Sequence, residues 1–126
     1  RHYLGRDDLK FIYYVKPESS GDLGGRDAVE SMKAAYFLDK PDALCVAGPV
    51  AGKKSDAQLM ARVREAFPDS VIFANTGVNP NTIGELFTYA NAAFVGTYLK
   101  KDGVFENAVD PERVKRLMDQ ANQLRK

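Results

Sequence analysis

Short apolar runs alternate along the chain with longer segments in which apolar residues recur every three or four positions. The apolar runs are typical of parallel strands buried on both faces, and they occupy 10–15, 43–47, 71–73 and 92–95. Helical spacing is found over 26–38, 55–67 and 79–90, and again after Asp110. The pattern predicts an α/β fold of four consecutive strand–helix units with parallel strands.

Local capping signals predict where three of the helices begin. Ser55 and Gln58 match a capping box, while Asn79 and Asp110 each precede a proline, the residue best suited to the first helical position. We therefore expect the second helix to begin after Ser55, the third after Asn79 and the last after Asp110.

The number of units conflicts with the length of the chain if the strands close into a barrel. An eightfold strand–helix barrel needs about 200 residues or more, and the chain has 126. Four units form either half of such a barrel or a small open sheet. In both cases we expect a single domain over residues 1–126. A half-barrel leaves two sheet edges and one apolar face uncovered, so we expect a second copy or a missing N-terminal half to complete it.

Composition and charge exclude several classes of function. The chain is 44% hydrophobic and 28% charged, as in soluble globular proteins, and its net charge of +1 provides no strong attraction to nucleic acid or anionic membranes. No apolar run approaches the roughly 20 residues that span a bilayer. With His2 as the one histidine, a histidine-based metal site or catalytic triad is not expected. We predict neither a metal nor a cofactor.

The one cysteine, Cys45, lies inside the second apolar run. A free cysteine in such surroundings is usually a small buried core residue, and we expect its thiol to be unreactive. A single cysteine excludes an internal disulfide and fits the cytoplasm or another reducing compartment, an organelle included.

Polar, glycine-bearing turns follow the third and fourth apolar runs. Parallel α/β proteins bind their ligands at this end of the strands, and backbone N–H groups of neighbouring turns can converge on a phosphate. We therefore assign six ligand-binding candidates: Asn75, Thr76, Gly77, Val78, Gly96 and Thr97. The alternative is that the glycines only permit tight exits from the strands.

Lys16 is the one catalytic candidate. It follows the first apolar run, and a lysine at a strand end can bind phosphate or, when desolvated, act as a base or Schiff-base former. A solvated or ion-paired lysine is the alternative. No two carboxylates have the spacing of a metal site or an acid/base pair, so the sequence names no reaction and leaves open whether the protein is an enzyme.

Three stretches, 43–52, 70–77 and 96–114, resemble the BtpA family of TIM-barrel proteins. The run Gly96–Gly103 follows the family pattern Gly-Thr-x-Leu-Lys-x-Asp-Gly, and Val109–Val114 follows Val-Asp-x-x-Arg-Val. The resemblance implies that the chain is the C-terminal half of a phosphate-binding-type (β/α)8 barrel, from the fifth to the eighth unit. Three other positions depart from what the family has. Asn75 replaces the first glycine of a Gly-Ser-Gly-Val turn, and Ala51 replaces the threonine of a turn that ends in Thr-Gly. Pro17, directly after the first apolar run, stands where histidine is expected.

The resemblance implies a barrel protein that binds a small phosphorylated ligand, with an isomerase- or lyase-type enzyme as one form of it. A non-enzymatic assembly or scaffold factor is the alternative, because the named member of the family is associated with photosystem I biogenesis. The other alternative is an inactive fragment of a larger barrel.

Overall fold

A single four-stranded parallel sheet organises the computed structural model, which describes residues 1–17, 24–48 and 56–125. The strands lie side by side in chain order: β1 (Ile12–Lys16), β2 (Ala43–Ala47), β3 (Val71–Asn75) and β4 (Ala92–Phe94). Each is followed by a helix: α1 (Ala28–Asp39), α2 (Ala57–Ala66), α3 (Ile83–Leu86) and α4 (Pro111–Leu124). This is the predicted α/β fold, in the arrangement of half of an eight-stranded barrel.

One face of the sheet packs against the helices and forms the hydrophobic core. Alternate strand residues contribute to it because successive side chains of a strand point to opposite faces. These are Val15, Leu44, Val46, Ile72 and Ala74. The helices add apolar stripes at helical spacing, namely Val29 and Met32, Leu59, Met60 and Val63, Ile83 and Leu86, and Leu117 and Ala121.

The opposite face of the sheet is apolar but only partly covered by the described residues. Tyr14 is 43% exposed, Val71 44% and Phe94 42%, one on each of three strands. We call Tyr14, Val71 and Phe73 the open strip; Phe94 lies beyond it, at the carboxyl end of β4. The exposure of the open strip agrees with the expectation that the helices of the chain cover one face alone.

The starts of α2 and α3 differ from the sequence prediction. The N-cap of α2 is Asp56, whose Oδ1 accepts a hydrogen bond from the backbone N–H of Leu59 at 2.9 Å; the predicted cap, Ser55, lies outside the described residues. For α3 the prediction was wrong, because the helix begins at Ile83. The Asn79 side chain accepts instead from the N–H of Asn81 at 2.9 Å, which closes a turn before the helix.

The predicted start of α4 is confirmed. Pro111 is its first residue, and Oδ1 of Asp110 accepts from the N–H groups of Glu112 at 3.0 Å and Arg113 at 3.4 Å. The cap and the proline therefore stand where the sequence predicts them. Within the described part of the chain, no helix combines the length and the apolar character needed to cross a membrane.

Candidate functional site

The turn after β3 has an unusual backbone conformation. Thr76 and Gly77 both have positive φ angles, 68° and 61°, so the chain reverses sharply where the strand ends. Glycine adopts this conformation without strain, whereas threonine rarely does. The hydroxyl of Thr76 accepts a hydrogen bond from the N–H of Gly48 at 2.6 Å, which ties this turn to the end of β2.

Side chains hold the second half of the same turn. The Asn79 amide donates to the carbonyl oxygen of Gly77 at 3.1 Å, and the Thr82 hydroxyl donates to the same oxygen at 2.9 Å. The N–H of Asn79 in turn donates to the Thr82 hydroxyl at 3.0 Å. The turn therefore has its shape before any ligand binds, which lowers the entropy cost of binding.

The turn after β4 is open to its surroundings. Gly96 is exposed and precedes a single 3₁₀ turn, Thr97–Leu99, in which the N–H of Leu99 donates to the carbonyl of Gly96 at 3.0 Å. Apart from its two chain neighbours, no heavy atom of the described residues lies within 4 Å of the position that a Cβ would occupy on Gly96. Space beside the backbone is therefore available here to a ligand.

A cavity of about 280 Å³ lies between these two turns, at the C-terminal ends of β3 and β4. It is lined by all six ligand candidates assigned from the sequence, Asn75, Thr76, Gly77, Val78, Gly96 and Thr97. The rest of the lining comes from Asn79, Phe94, Tyr98, Gly103, Phe105 and Arg113. The fold thus brings the two predicted turns to one cavity, as the positional rule for parallel sheets requires.

Arg113 is a charged residue of this cavity that the sequence did not single out. Its guanidinium is partly buried, donates from Nε to the Tyr98 carbonyl at 2.5 Å, and lies 4.5 Å from the centroid of the Tyr98 ring. Among the described residues, no carboxylate forms an ion pair with it. The pattern Val109–Val114 contains this arginine, but nothing in the pattern says that α4 turns it toward the β3 and β4 turns.

Gly103 gives this guanidinium its space. A Cβ on Gly103 would lie 3.3 Å from Nη2 of Arg113, and the φ angle of 68° is strained for any other residue. The loop that carries Gly103 is closed at its base by a bridge between Lys100 and Val109 and by a hydrogen bond from the Asn107 amide to the Lys101 carbonyl at 3.0 Å. Arg113 is therefore held by backbone on two sides.

Lys16 lies at a different place. It is exposed and lines a second cavity of about 480 Å³ beside the starts of α1 and α2. Because β1 and β4 are opposite edges of the sheet, Lys16 is separated from the β4 turn by roughly 14 Å at the usual strand spacing. Lys16 and the six ligand candidates therefore line different cavities.

Two charged residues that line this second cavity pair with each other. Arg62 donates to Oδ2 of Asp27 at 2.6 Å, and this hydrogen bond holds the pKa of the Asp27 carboxyl below its ordinary value. Asp27 also caps α1 by accepting from the N–H of Val29 at 3.0 Å. Across the described ranges, no cluster of three or more histidine, cysteine or acidic side chains could hold a metal ion.

Strand–helix units and a cavity at the carboxyl ends of the strands define the chain as part of a parallel α/β barrel-type protein. It belongs to the BtpA family, whose pattern matches residues 1–123. It is 39% identical to SgcQ of Escherichia coli over 126 residues, 100% of the chain and 47% of that protein. An uncharacterised protein of Pyrococcus furiosus is 32% identical over a 127-residue alignment, covering 90% of the chain and 47% of its own length.

A shorter match links the chain to an uncharacterised protein of Thermococcus kodakarensis, 37% identical over 84 residues, 67% of the chain and 32% of that protein. The chain thus spans about half the length of the curated relatives that it matches over most of its residues. No solved structure matches it.

Proposed function

We propose that the chain binds the phosphate group of a small phosphorylated ligand in the cavity between the β3 and β4 turns. The observation that carries the proposal is Arg113, a partly buried guanidinium without a carboxylate partner among the described residues. A cation taken out of water is costly unless an anion pairs with it. Arginine matches phosphate oxygens with two parallel N–H donors, which makes phosphate the anion that it suits best.

The neighbouring turns support the same ligand. Both carry glycine, which allows a ligand to approach the backbone closely, and the described side chains hold the first turn in place. Thr97 adds a hydroxyl to the lining. Backbone N–H groups, a hydroxyl and a guanidinium are the donors that phosphate sites in barrels combine.

We also propose that these four units are one half of a closed barrel, the C-terminal half, with the preceding half of the longer protein covering the open strip. Two observations support this arrangement. The open strip is apolar and partly exposed in the described chain, and just over half the length of SgcQ lies outside its match to this chain. A second copy that closes the sheet by two-fold symmetry is the alternative occupant.

The chemistry beyond binding would be of isomerase or lyase type. Such a reaction needs a proton-transfer group beside the phosphate subsite, and the described residues place Lys16 in another cavity. In this proposal the remaining group comes from the other half of the barrel. A non-enzymatic assembly role is favoured instead if a protein partner, rather than a small ligand, occupies the cavity.

Binding of glycerol 3-phosphate to the full-length gene product, measured by calorimetry, tests the proposal. Arg113→Gln removes the charge and should weaken binding by about tenfold or more, the usual value of a charge-assisted contact. Arg116→Gln is the matched control, because Arg116 is exposed on the same helix and does not line the cavity. An equal loss of affinity in both variants would show that only the net charge of the protein matters, and would overturn the assignment of Arg113 to phosphate binding.

A second variant tests the position of the ligand without touching charge. Gly96→Val places a side chain into empty space beside the β4 turn, so the fold should be kept while the cavity is blocked. Gly84→Val, at an exposed glycine of α3 with similar free space, is the control. Unchanged affinity in Gly96→Val, or an anion found at the opposite strand ends in a crystal structure, would refute this position.

A further inference from the structure

Aromatic rings form the apolar part of the same cavity. Phe94, the last residue of β4, is 42% exposed, and Phe105, in the loop before α4, is 64% exposed. Large apolar side chains that stay open to solvent inside a cavity with convergent polar groups are typical of ligand contacts.

The ring of Phe94 is held in place by its neighbour on β3. Phe73 and Phe94 are stacked, with centroids 4.9 Å apart and an angle of 19° between the ring planes. Stacking on Phe73 occupies one side of Phe94, while Phe94 itself still lines the cavity. A ring that is already fixed loses little entropy when a ligand stacks on it.

A second aromatic pair lies beside the proposed phosphate subsite. The guanidinium of Arg113 lies over the Tyr98 ring, and both residues line the cavity. The cavity therefore joins a cationic subsite to a group of aromatic rings within a volume of about 280 Å³. That volume lies near the lower end of ligand cavities and has room for a phosphate and one small ring system.

We propose that the organic part of the ligand is a planar aromatic ring that stacks on Phe94 and Phe105, so that the ligand is a phosphate ester of a small aromatic group. This inference rests on the proposed phosphate binding at Arg113. Flat π-systems stack favourably on phenylalanine. The hydroxyls of an aliphatic sugar phosphate would lose hydrogen bonds to water against the same rings.

Calorimetry with two probes on the full-length gene product tests the inference, using phenyl phosphate as the aromatic ester and glycerol 3-phosphate as the aliphatic one. Phenyl phosphate should bind at least about fivefold more tightly, and Phe105→Leu, which keeps apolar bulk and removes the ring, should abolish that preference. Phe37→Leu is the matched control, because Phe37 is 80% exposed on α1, away from the cavity.

The outcomes separate the two proposals. If neither probe binds, the phosphate site is refuted and the inference with it. If both bind with equal affinity, phosphate binding stands and the aromatic subsite is refuted. If Phe105→Leu lowers the affinity for both probes equally, Phe105 stabilises the loop and does not stack on the ligand. That result also overturns the inference.

Discussion

Cys45 is fully buried although it lies on the face of the sheet that the helices do not cover. Its cross-strand partners are Tyr14 on β1 and Phe73 on β3. Two residues with large rings therefore flank this small side chain on the neighbouring strands. The sequence correctly predicted its burial, but attributed that burial only to apolar neighbours along the strand.

Burial of Cys45 predicts slow reaction with thiol reagents in the native protein. We expect labelling to be at least about tenfold slower than at an exposed cysteine, because the reagent must wait for local opening. Ala34→Cys, on the exposed side of α1, supplies that reference within the same protein. Labelling would be followed by mass spectrometry of the separate peptides, and equal rates at the two positions would contradict the core assignment.

Asp42 shows how one side chain connects two elements. It stands directly before β2, and its Oδ2 accepts from the N–H of Phe11 at 2.8 Å, just before β1. Arg1 also donates to this oxygen, and Nζ of Lys10 lies 3.4 Å from Oδ1. The hydrogen bond from Phe11, aided by the two cations, lowers the pKa of Asp42 from 3.8 to about 2.

A lowered pKa predicts how the stability contributed by Asp42 depends on pH. The folded-state pKa lies below the unfolded value, so this contribution is complete above about pH 4 and is lost as the pH falls toward 2. Asp42→Asn should lower the free energy of unfolding at pH 7, and its difference from the parent protein should shrink as the pH is lowered from 5 toward 2.

Chemical denaturation over this pH range measures the effect. Asp69→Asn is the control, because Asp69 is an exposed carboxylate in the turn before β3. The control should change stability little at any pH. A difference between Asp42→Asn and the parent protein that stays constant down to pH 2 would show that the charge of Asp42 is not what stabilises this connection.

At the scale of the whole molecule, we expect the open strip to determine how the chain assembles. Exposed apolar surface on a sheet with two free edges favours association. We expect the 126-residue chain, purified alone, to form dimers or larger particles in light scattering, and to form a one-to-one complex when the preceding half is co-expressed. A monodisperse monomer that unfolds cooperatively would rule out the half-barrel interpretation.

A charge on the open strip tests whether that face drives the association. Val71→Glu places a carboxylate on an exposed strip position, and the larger particles should dissociate because a buried unpaired charge is costly. Leu38→Glu is the control, since Leu38 is 76% exposed on α1 and belongs to the helical layer. If both variants associate as the parent chain does, another surface is responsible.

The alternation of apolar runs and helical stripes in the sequence determined the four strand–helix units, the parallel sheet and the end of the sheet that carries the ligand candidates. These features follow from local periodicity. Asp110 and Pro111 also determined the start of α4 correctly, because the cap bonds only the N–H groups two and three residues further along the chain.

Only the tertiary structure decided the contacts between residues distant in the chain. Asn79 is not the cap of α3, because its side chain donates to the Gly77 carbonyl and accepts from the backbone N–H of Asn81, which closes a turn before the helix. Arg113 reached the cavity because α4 packs beside the β4 turn and the Tyr98 carbonyl accepts its Nε–H. Lys16 lies apart from the β4 turn because β1 and β4 are opposite edges of the sheet, as the expected half-barrel already implied. Only the structure shows that Lys16 lines a different cavity.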